Sequence, residues 1–245
     1  MSASVAIMIP ARLASTRLPR KLLLPIQGRP MLAHVVDVAV QVAGVENTYV
    51  VTPDDEIEGL CDELGARCLR SRRQHPNGVS RLAEQVGQLS YDFVVNLQGD
   101  EPLMTTEVLN ALIEARHLTD SDVVTCIRRL PMTEVTAPLF DDPNRVKVVT
   151  DRSGQALYFS RAAIPHGRPS FFSLHLGVYA YTRASLLDYE QLSRGELEAV
   201  ESLEQLRLLE HGLTIQTVTV DWDGLSVDTA LDLERVEQRL QGIGR

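Results

Sequence analysis

Apolar, β-branched runs alternate with segments of helical period along the first half of the chain, and this alternation constrains the fold more than any other feature. Residues 4–9 read as a buried strand, residues 30–42 as a helix opened by Pro30, and residues 48–52 as a second strand. A helix with acidic residues in its first turn is predicted over 54–64, followed by a short strand around Cys68. Helix 80–89, strand 92–97, helix 106–117 and strand 122–127 continue the rhythm. Strands separated by helices of this length pair in parallel, through right-handed crossovers that place helices on both faces. The predicted class is therefore α/β with a mostly parallel central sheet.

After about residue 130 the pattern changes. Residues 146–150 and 156–160 flank the turn Asp151-Arg152-Ser153-Gly154 and read as a β-hairpin. A strand over 174–181, a helix over 198–210, a strand over 214–220 and a helix over 230–240 follow. Without repeats, low-complexity tracts or a linker, the expectation is one domain over 1–245, with an antiparallel excursion at about 130–182 in its second half.

The chain carries 24 basic and 33 acidic side chains, a net charge of −9. That balance argues against a nucleic-acid coat or an anionic membrane surface as partner. No apolar run approaches the roughly 20 residues that span a bilayer. The N-terminal apolar stretch precedes the first positive charge, the reverse of a secretory signal. Cys61, Cys68 and Cys126 are too scattered for a disulfide framework or a zinc site, and read as reduced thiols of a cytoplasmic protein. The charge is unevenly spread. The first 36 residues hold five cations (Arg12, Arg17, Arg20, Lys21, Arg29) and no acid, which directs the search for an anion site there.

Three segments could carry chemistry. The loop after the first strand, residues 10–21, crowds Arg12, Arg17, Arg20 and Lys21 together with Ser15 and Thr16, and two prolines stiffen it. Open parallel sheets bind ligands at the carboxyl ends of their strands, where this loop emerges, and guanidinium groups match phosphate geometry. It has neither a G-x-G-x-x-G fingerprint nor a P-loop, so an anion site and a solvated basic loop both remain open. The segment Gln98-Gly99-Asp100-Glu101-Pro102 ends a buried strand in a small polar knot. Asp100 there either holds a hard cation such as Mg²⁺ or caps the next helix. Asp228 precedes the last helix and reads as its N-cap, unless it faces Asp100 and completes a divalent-metal site.

Weaker signals come from Asn77-Gly78 with Arg81, at a helix start able to receive an anion. Arg161, His175, Tyr179 and the pair Glu204-Gln205 are polar groups inside apolar segments, while His34, His117 and the run Arg70, Arg72, Arg73 read as surface or satisfied core groups. No serine lies in a nucleophile-elbow context.

The ordered set IPARLASTRLPRKLL, GRPMLAHV, HPNGVSRLAE, VVNLQGDEPL, NRVKVV, ALYFSRAAIP, HLGVYAY, SLEQLR and VDTALDLERV resembles the 3-deoxy-manno-octulosonate (Kdo) cytidylyltransferases, sugar-activating enzymes also called CMP-Kdo synthetases, over nearly the whole chain. The resemblance implies a Rossmann-like nucleotidyltransferase fold, and Mg²⁺-dependent transfer of CMP from CTP to the anomeric hydroxyl of an acidic sugar. By motif position Arg12, Ser15, Arg17 and Lys21 would hold the triphosphate, with Ala11, Asn77, Gly78, Arg81 and Gln98 beside the nucleotide. Asp100 and Asp228 would bind Mg²⁺. Gln98, Arg161, His175, Tyr179, Glu204 and Gln205 would line the acceptor pocket. Arg12, Arg17, Lys21, Asp100 and Asp228 would form the catalytic set of a cytoplasmic homodimer without nucleic-acid or membrane partners.

The sequence also departs from the family pattern. Arg20 stands where glycine is usual, which is expected to add charge and bulk beside the triphosphate. Val79 and Ser80 replace a hydroxyl and a carboxylate. Leu174 replaces a basic residue before His175, His166-Gly167-Arg168 replaces a tract often reading W-x-R-D, and the segment from Pro165 to His175 is short for the family. These changes leave the transfer residues intact and bear on the acceptor. The same reaction on 8-amino-Kdo or on phosphonoformate is the alternative, and a nucleotide-binding homologue without turnover the more remote one.

Overall fold

A computed structural model describes residues 4–15, 17–72 and 74–242, so Thr16 and Arg73 lie outside the described residues. The chain packs as two compact units, Met1–Asn110 with Gly224–Arg245, and Ala111–Asp223.

The first unit begins with β1 (Val5–Pro10), followed by a small hairpin of β2 (Pro25–Ile26) and β3 (Arg29–Pro30), then α1 (Met31–Ala43), β4 (Thr48–Thr52), α2 (Asp55–Leu64), β5 (Arg67–Arg70), α3 (Gly78–Val86) and β6 (Phe93–Asn96). The strands β6, β1, β4 and β5 lie side by side and parallel, as the alternation predicts. Ala6 to Ile9 are wholly buried in β1, and each large aliphatic chain so removed from water contributes about 1.5–3 kcal/mol. The β2–β3 hairpin is not foreseen by the sequence reading. It turns on Gln27 (φ 50°) and Gly28 (φ 79°), two consecutive left-handed residues that suit a two-residue hairpin.

The helix α4 (Thr106–His117) leads into the second unit: β7 (Val123–Pro131), α5 (Ala137–Asp141), β8 (Lys147–Thr150), β9 (Ala156–Ser160), β10 (Phe171–Thr182), α6 (Arg183–Asp188), α7 (Glu196–Glu201), α8 (Gln205–Glu210) and β11 (Ile215–Thr219). β10 runs antiparallel to β7 and β11 parallel to it, while β8 and β9 form the predicted hairpin, with β8 against β10. The chain closes with α9 (Ala230–Leu240) in the first unit. The fold is a mixed α/β one in which helices accompany a mostly parallel arrangement of strands.

The helices α5 and α6 are not foreseen by the sequence reading, and two predicted elements are interrupted. The helix predicted over 198–210 is broken at Ser202, which takes a left-handed φ of 53°, leaving the two short pieces α7 and α8. The strand over 174–181 carries a register shift between Leu176 and Tyr179. Among the described residues no helix is long and apolar enough to cross a membrane.

Candidate active site

A cleft of ≈ 570 Å³ opens in the first unit, at the carboxyl ends of β1 and β6. These strands are parallel neighbours with Met8 opposite Asn96, so the loops that follow them leave the sheet side by side. Arg12, Ser15 and Arg17 reach the cleft from the β1 loop and Lys21 from the turn after it. Asn77, Gly78 and Arg81 come from the start of α3, and Gln98 and Asp100 from the knot after β6. Asp228 enters from the segment before α9, tethered by the Val227 amide donating to the Asp100 carbonyl at 2.9 Å. Ala11 completes the predicted nucleotide set, so four separate motifs border one space. Pro10, Ala14, Leu22 and Gly99 border it too, and carry no chemical signal that sequence reading could have used.

Lys21 is the hub. Its Nζ donates to Asp100 Oδ2 at 2.5 Å, to Asp228 Oδ1 at 2.9 Å and to the Val227 carbonyl at 2.9 Å. Burial works to discharge this ammonium, but the two carboxylates outweigh it and hold its pKa above the ordinary lysine value. Arg17 pairs with the other Asp228 oxygen at 2.9 Å. With Arg12 and Arg81, the cleft holds four cations against two carboxylates. Arg81 is buried, burial and the neighbouring Arg12 lower its pKa, and among the described residues its Nη1 finds no hydrogen-bond partner. A buried donor left unpaired beside an open cleft is a group held for an anionic or carbonyl ligand.

Glu101, next to Asp100, does not join the cleft. Burial pushes its pKa up to about 8, with the Asp100 charge adding to the shift, so it stays a neutral carboxylic acid at neutral pH. The site thus has two carboxylates. Among the described residues there is no cluster of three or more His, Cys, Asp or Glu at metal-ligating spacing.

Acidic residues at the start of α2 anchor the cationic loop. Asp54 Oδ2 accepts the Leu13 amide at 2.7 Å, and Glu56 receives the Arg20 guanidinium in a two-pronged pair. Sequence reading gave these acids to the helix dipole alone. Arg20 is therefore corrected: it is exposed, turned onto Glu56, and absent from the cleft lining, so it adds no bulk beside a ligand. Its φ of 57° accounts for the preference for glycine at this place. Asn77 caps α3 by accepting the Ser80 amide at 2.9 Å, and a Cβ added at Gly78 would stand 3.0 Å from the Pro10 ring. Only glycine lets α3 approach the β1 loop this closely.

The capping role read for Asp228 is corrected too. Thr229 is the N-cap of α9, in a reciprocal box with Asp232, which releases Asp228 to face Lys21 and Arg17. Asp100 likewise points at Lys21.

The remaining candidates lie in the second unit, except Gln98, whose Nε2 donates to Asn96 Oδ1 at 3.3 Å. His175 lies edge-on to Phe159, at 5.0 Å, and tilted against Tyr179, at 5.2 Å. In a regular strand residues four apart stand about 13 Å apart. The register shift in β10 folds that distance away, and Gly177 within the strand is the signal that marks it. Thr125 Oγ1 lies 2.8 Å from the Val178 carbonyl and 3.1 Å from His175 Nε2. Its single proton goes to the nearer carbonyl, so His175 Nε2 carries hydrogen and donates. Although His175 is not wholly covered, desolvation pushes its pKa down to about 3 and keeps it neutral. Leu174 faces the other way, into an apolar cluster with Val135 and Phe172. Arg161 donates to the carbonyls of Pro143, Glu201 and Ser202. Gln205 is buried with its Nε2 unpaired, and Glu204 precedes it, half-buried.

A family model for cytidylyltransferases matches residues 6–215. The chain is 44% identical to a 3-deoxy-manno-octulosonate cytidylyltransferase of Methylococcus capsulatus, over 99% of both chains. It is 39% identical to an 8-amino-3,8-dideoxy-manno-octulosonate cytidylyltransferase of Shewanella baltica, over 97% of this chain and 98% of that protein. Among solved structures it is similar to a CMP:2-keto-3-deoxy-manno-octonic acid synthetase complexed with CTP, with a TM-score of 0.91 and 38% identity over 98% of this chain and 99% of the other.

Proposed function

The chain belongs to the cytidylyltransferase family of nucleotidyltransferase enzymes, and on that premise we propose that it transfers CMP from CTP to the anomeric hydroxyl of 3-deoxy-manno-octulosonate, giving CMP-Kdo and pyrophosphate. The observation that carries this reading is the cleft itself, where four cations from two segments surround the Asp100–Asp228 pair.

Displacement at an α-phosphorus needs alignment and charge neutralisation more than covalent help. Lys21, Arg12 and Arg17 supply the charge that receives the departing pyrophosphate, and Ser15 adds a hydroxyl donor in the same loop. The unpaired Nη1 of Arg81 suits an oxygen of the nucleotide. Oxygens of Asp100 and Asp228 already converge on one cationic nitrogen, at 2.5 and 2.9 Å, so these residues fit a divalent cation such as Mg²⁺. Two carboxylates with the remaining positions left to substrate oxygens is the donor set Mg²⁺ favours. When bound, Mg²⁺ would supply Lewis-acid polarisation of the α-phosphate and a lowered pKa for the attacking hydroxyl. No side chain is assigned as a dedicated general base. On the acceptor side we assign Gln98, Arg161, His175, Tyr179, Glu204 and Gln205. The neutral His175 offers a hydrogen-bonding ring that does not change charge over the working pH range. The working form is proposed to be a cytoplasmic homodimer, and the exposed Leu157 and Val200 of the second unit support a self-association surface there.

The second reading keeps the reaction and changes the acceptor to 8-amino-3,8-dideoxy-manno-octulosonate, favoured by the full-length similarity to the Shewanella relative. Pyrophosphate release from CTP and Mg²⁺ is measured with Kdo, 8-amino-Kdo and phosphonoformate, using Asp100→Ala as the blank. Release with Kdo is expected. Release only with another acid moves the acceptor assignment, and no release with any of them overturns the proposed reaction.

A further inference from the structure

Lys147, on β8, is wholly buried, and among the described residues no carboxylate pairs with it. Its Nζ instead donates to two backbone carbonyls, those of Asp142 at 2.8 Å and Arg161 at 2.5 Å. A buried ammonium is tolerated only when it is held this closely, and burial lowers its pKa. Lys147 thereby ties the loop after α5 to the end of β9.

Arg161 carries the tie onward. Its amide donates to Glu201 Oε2 at 2.8 Å, its Nε to the Glu201 carbonyl at 2.7 Å and its Nη2 to the Ser202 carbonyl at 3.2 Å, while Nη1 holds the Pro143 carbonyl at 3.1 Å. Glu201 Oε1 also accepts the Ser160 hydroxyl at 2.5 Å. The carbonyls of Glu201 and Ser202 are those that the end of α7 leaves without intrahelical partners, and a non-glycine residue at φ 53° needs such outside support. Three residues beyond Ser202 stands Gln205, buried, with an amide donor that has no partner. Leaving such a donor unpaired costs stability, so its retention points to a ligand oxygen as its partner.

We propose that Lys147 and Glu201 are positioning residues of the acceptor step: through Arg161 they lock the break at Ser202, and so fix the Gln205 amide for the acceptor. This rests on the acceptor assignment above. The Lys147 ammonium and the Glu201 carboxylate are taken up by protein groups, so each is proposed to act on acceptor binding alone.

The test uses the full-length protein. Glu201→Gln is expected to raise the acceptor KM about tenfold while leaving kcat and the CTP KM within about twofold. In a Gln205→Ala background the same change should add no more than about twofold, because its effect passes through the lost amide. Additive effects, a rise in both KM values, or a fall in Tm with both KM values unmoved would each overturn the proposal. Lys147→Met keeps the buried stem and should copy the KM pattern where it folds, but Glu201→Gln carries the test without it. Amide exchange in the absence of any acceptor separates the two layers: residues 202–206 should exchange about tenfold faster in Glu201→Gln. Unchanged exchange overturns the positioning role by itself. A wild-type protein that activates no acceptor overturns the acceptor assignment, and with it that half of the inference, even where the exchange result holds.

Discussion

The candidate site residues of the two units use charge in opposite ways, although Arg207 and Glu198 of the second unit do form a buried ion pair. In the first, charged side chains pair with one another: Lys21 with Asp100 and Asp228, Arg17 with Asp228. Such pairs are partly solvated, and a ligand of matching charge can take the place of either partner. In the second, the cations Lys147 and Arg161 are bound to main-chain carbonyls, and His175 is held neutral among aromatic rings. Those contacts of the two cations run to uncharged carbonyls rather than to carboxylates. On the proposed function, one region would exchange its partners on ligand arrival and the other would keep its shape while a ligand comes and goes.

The largest break in this contrast is Lys21→Met. It removes the exchangeable hub, and kcat/KM for pyrophosphate release should fall about 10²–10³-fold. Tm should fall by no more than a few degrees, since Arg17 still pairs with Asp228 and the open cleft lets water reach both carboxylates. A variant that loses Tm in step with activity would place Lys21 on the fixed side instead. The next effect concerns His175. Its folded pKa of about 3 lies below the unfolded value of roughly 6.5. The unfolded chain therefore binds the extra proton between these values, and stability must fall as pH drops through that window. His175→Gln should flatten the slope of Tm against pH by at most roughly 3 °C per pH unit. An unchanged slope would mean that the ring titrates freely.

Smaller changes sharpen the picture within the first unit. Gly78→Ala should weaken CTP binding roughly threefold, because its Cβ forces α3 off the Pro10 ring; calorimetry would read this as a KM or Kd effect without loss of kcat. Arg20→Gly is the mildest. It relieves a left-handed backbone while losing an exposed ion pair, so Tm should rise by roughly 2 °C with turnover unaltered. A loss of turnover would return Arg20 to the ligand side.

Most of the donor-side cleft was legible because each contributing motif is short and sits where a parallel strand ends. Once the strands are placed, position alone brings Arg12, Asn77 and Asp100 together. Asp228 was harder. It neighbours a better N-cap, and the spacing of Thr229 and Asp232 fits a capping box that identifies the cap as Thr229. The second unit resisted reading for another reason. The ring contacts at His175 follow a register shift, and the carbonyls at the Ser202 break are met by a distant arginine; neither is legible from the local sequence. Leu174 shows the same limit, since its place in an apolar cluster explains the lost basic residue only once β10 is seen from the side.

The uneven charge has a kinetic consequence. A triphosphate diffusing toward a molecule of net charge −9 is repelled at long range, yet the cleft presents exposed guanidinium groups of Arg12 and Arg17 ahead of the half-buried Lys21. On the proposed function, capture would be a short-range event at the rim, and delivery to the ammonium a second stage. Salt screens the repulsion from afar and the attraction at the mouth over different distances. The association rate should therefore vary with ionic strength far less steeply than four cleft cations alone would dictate.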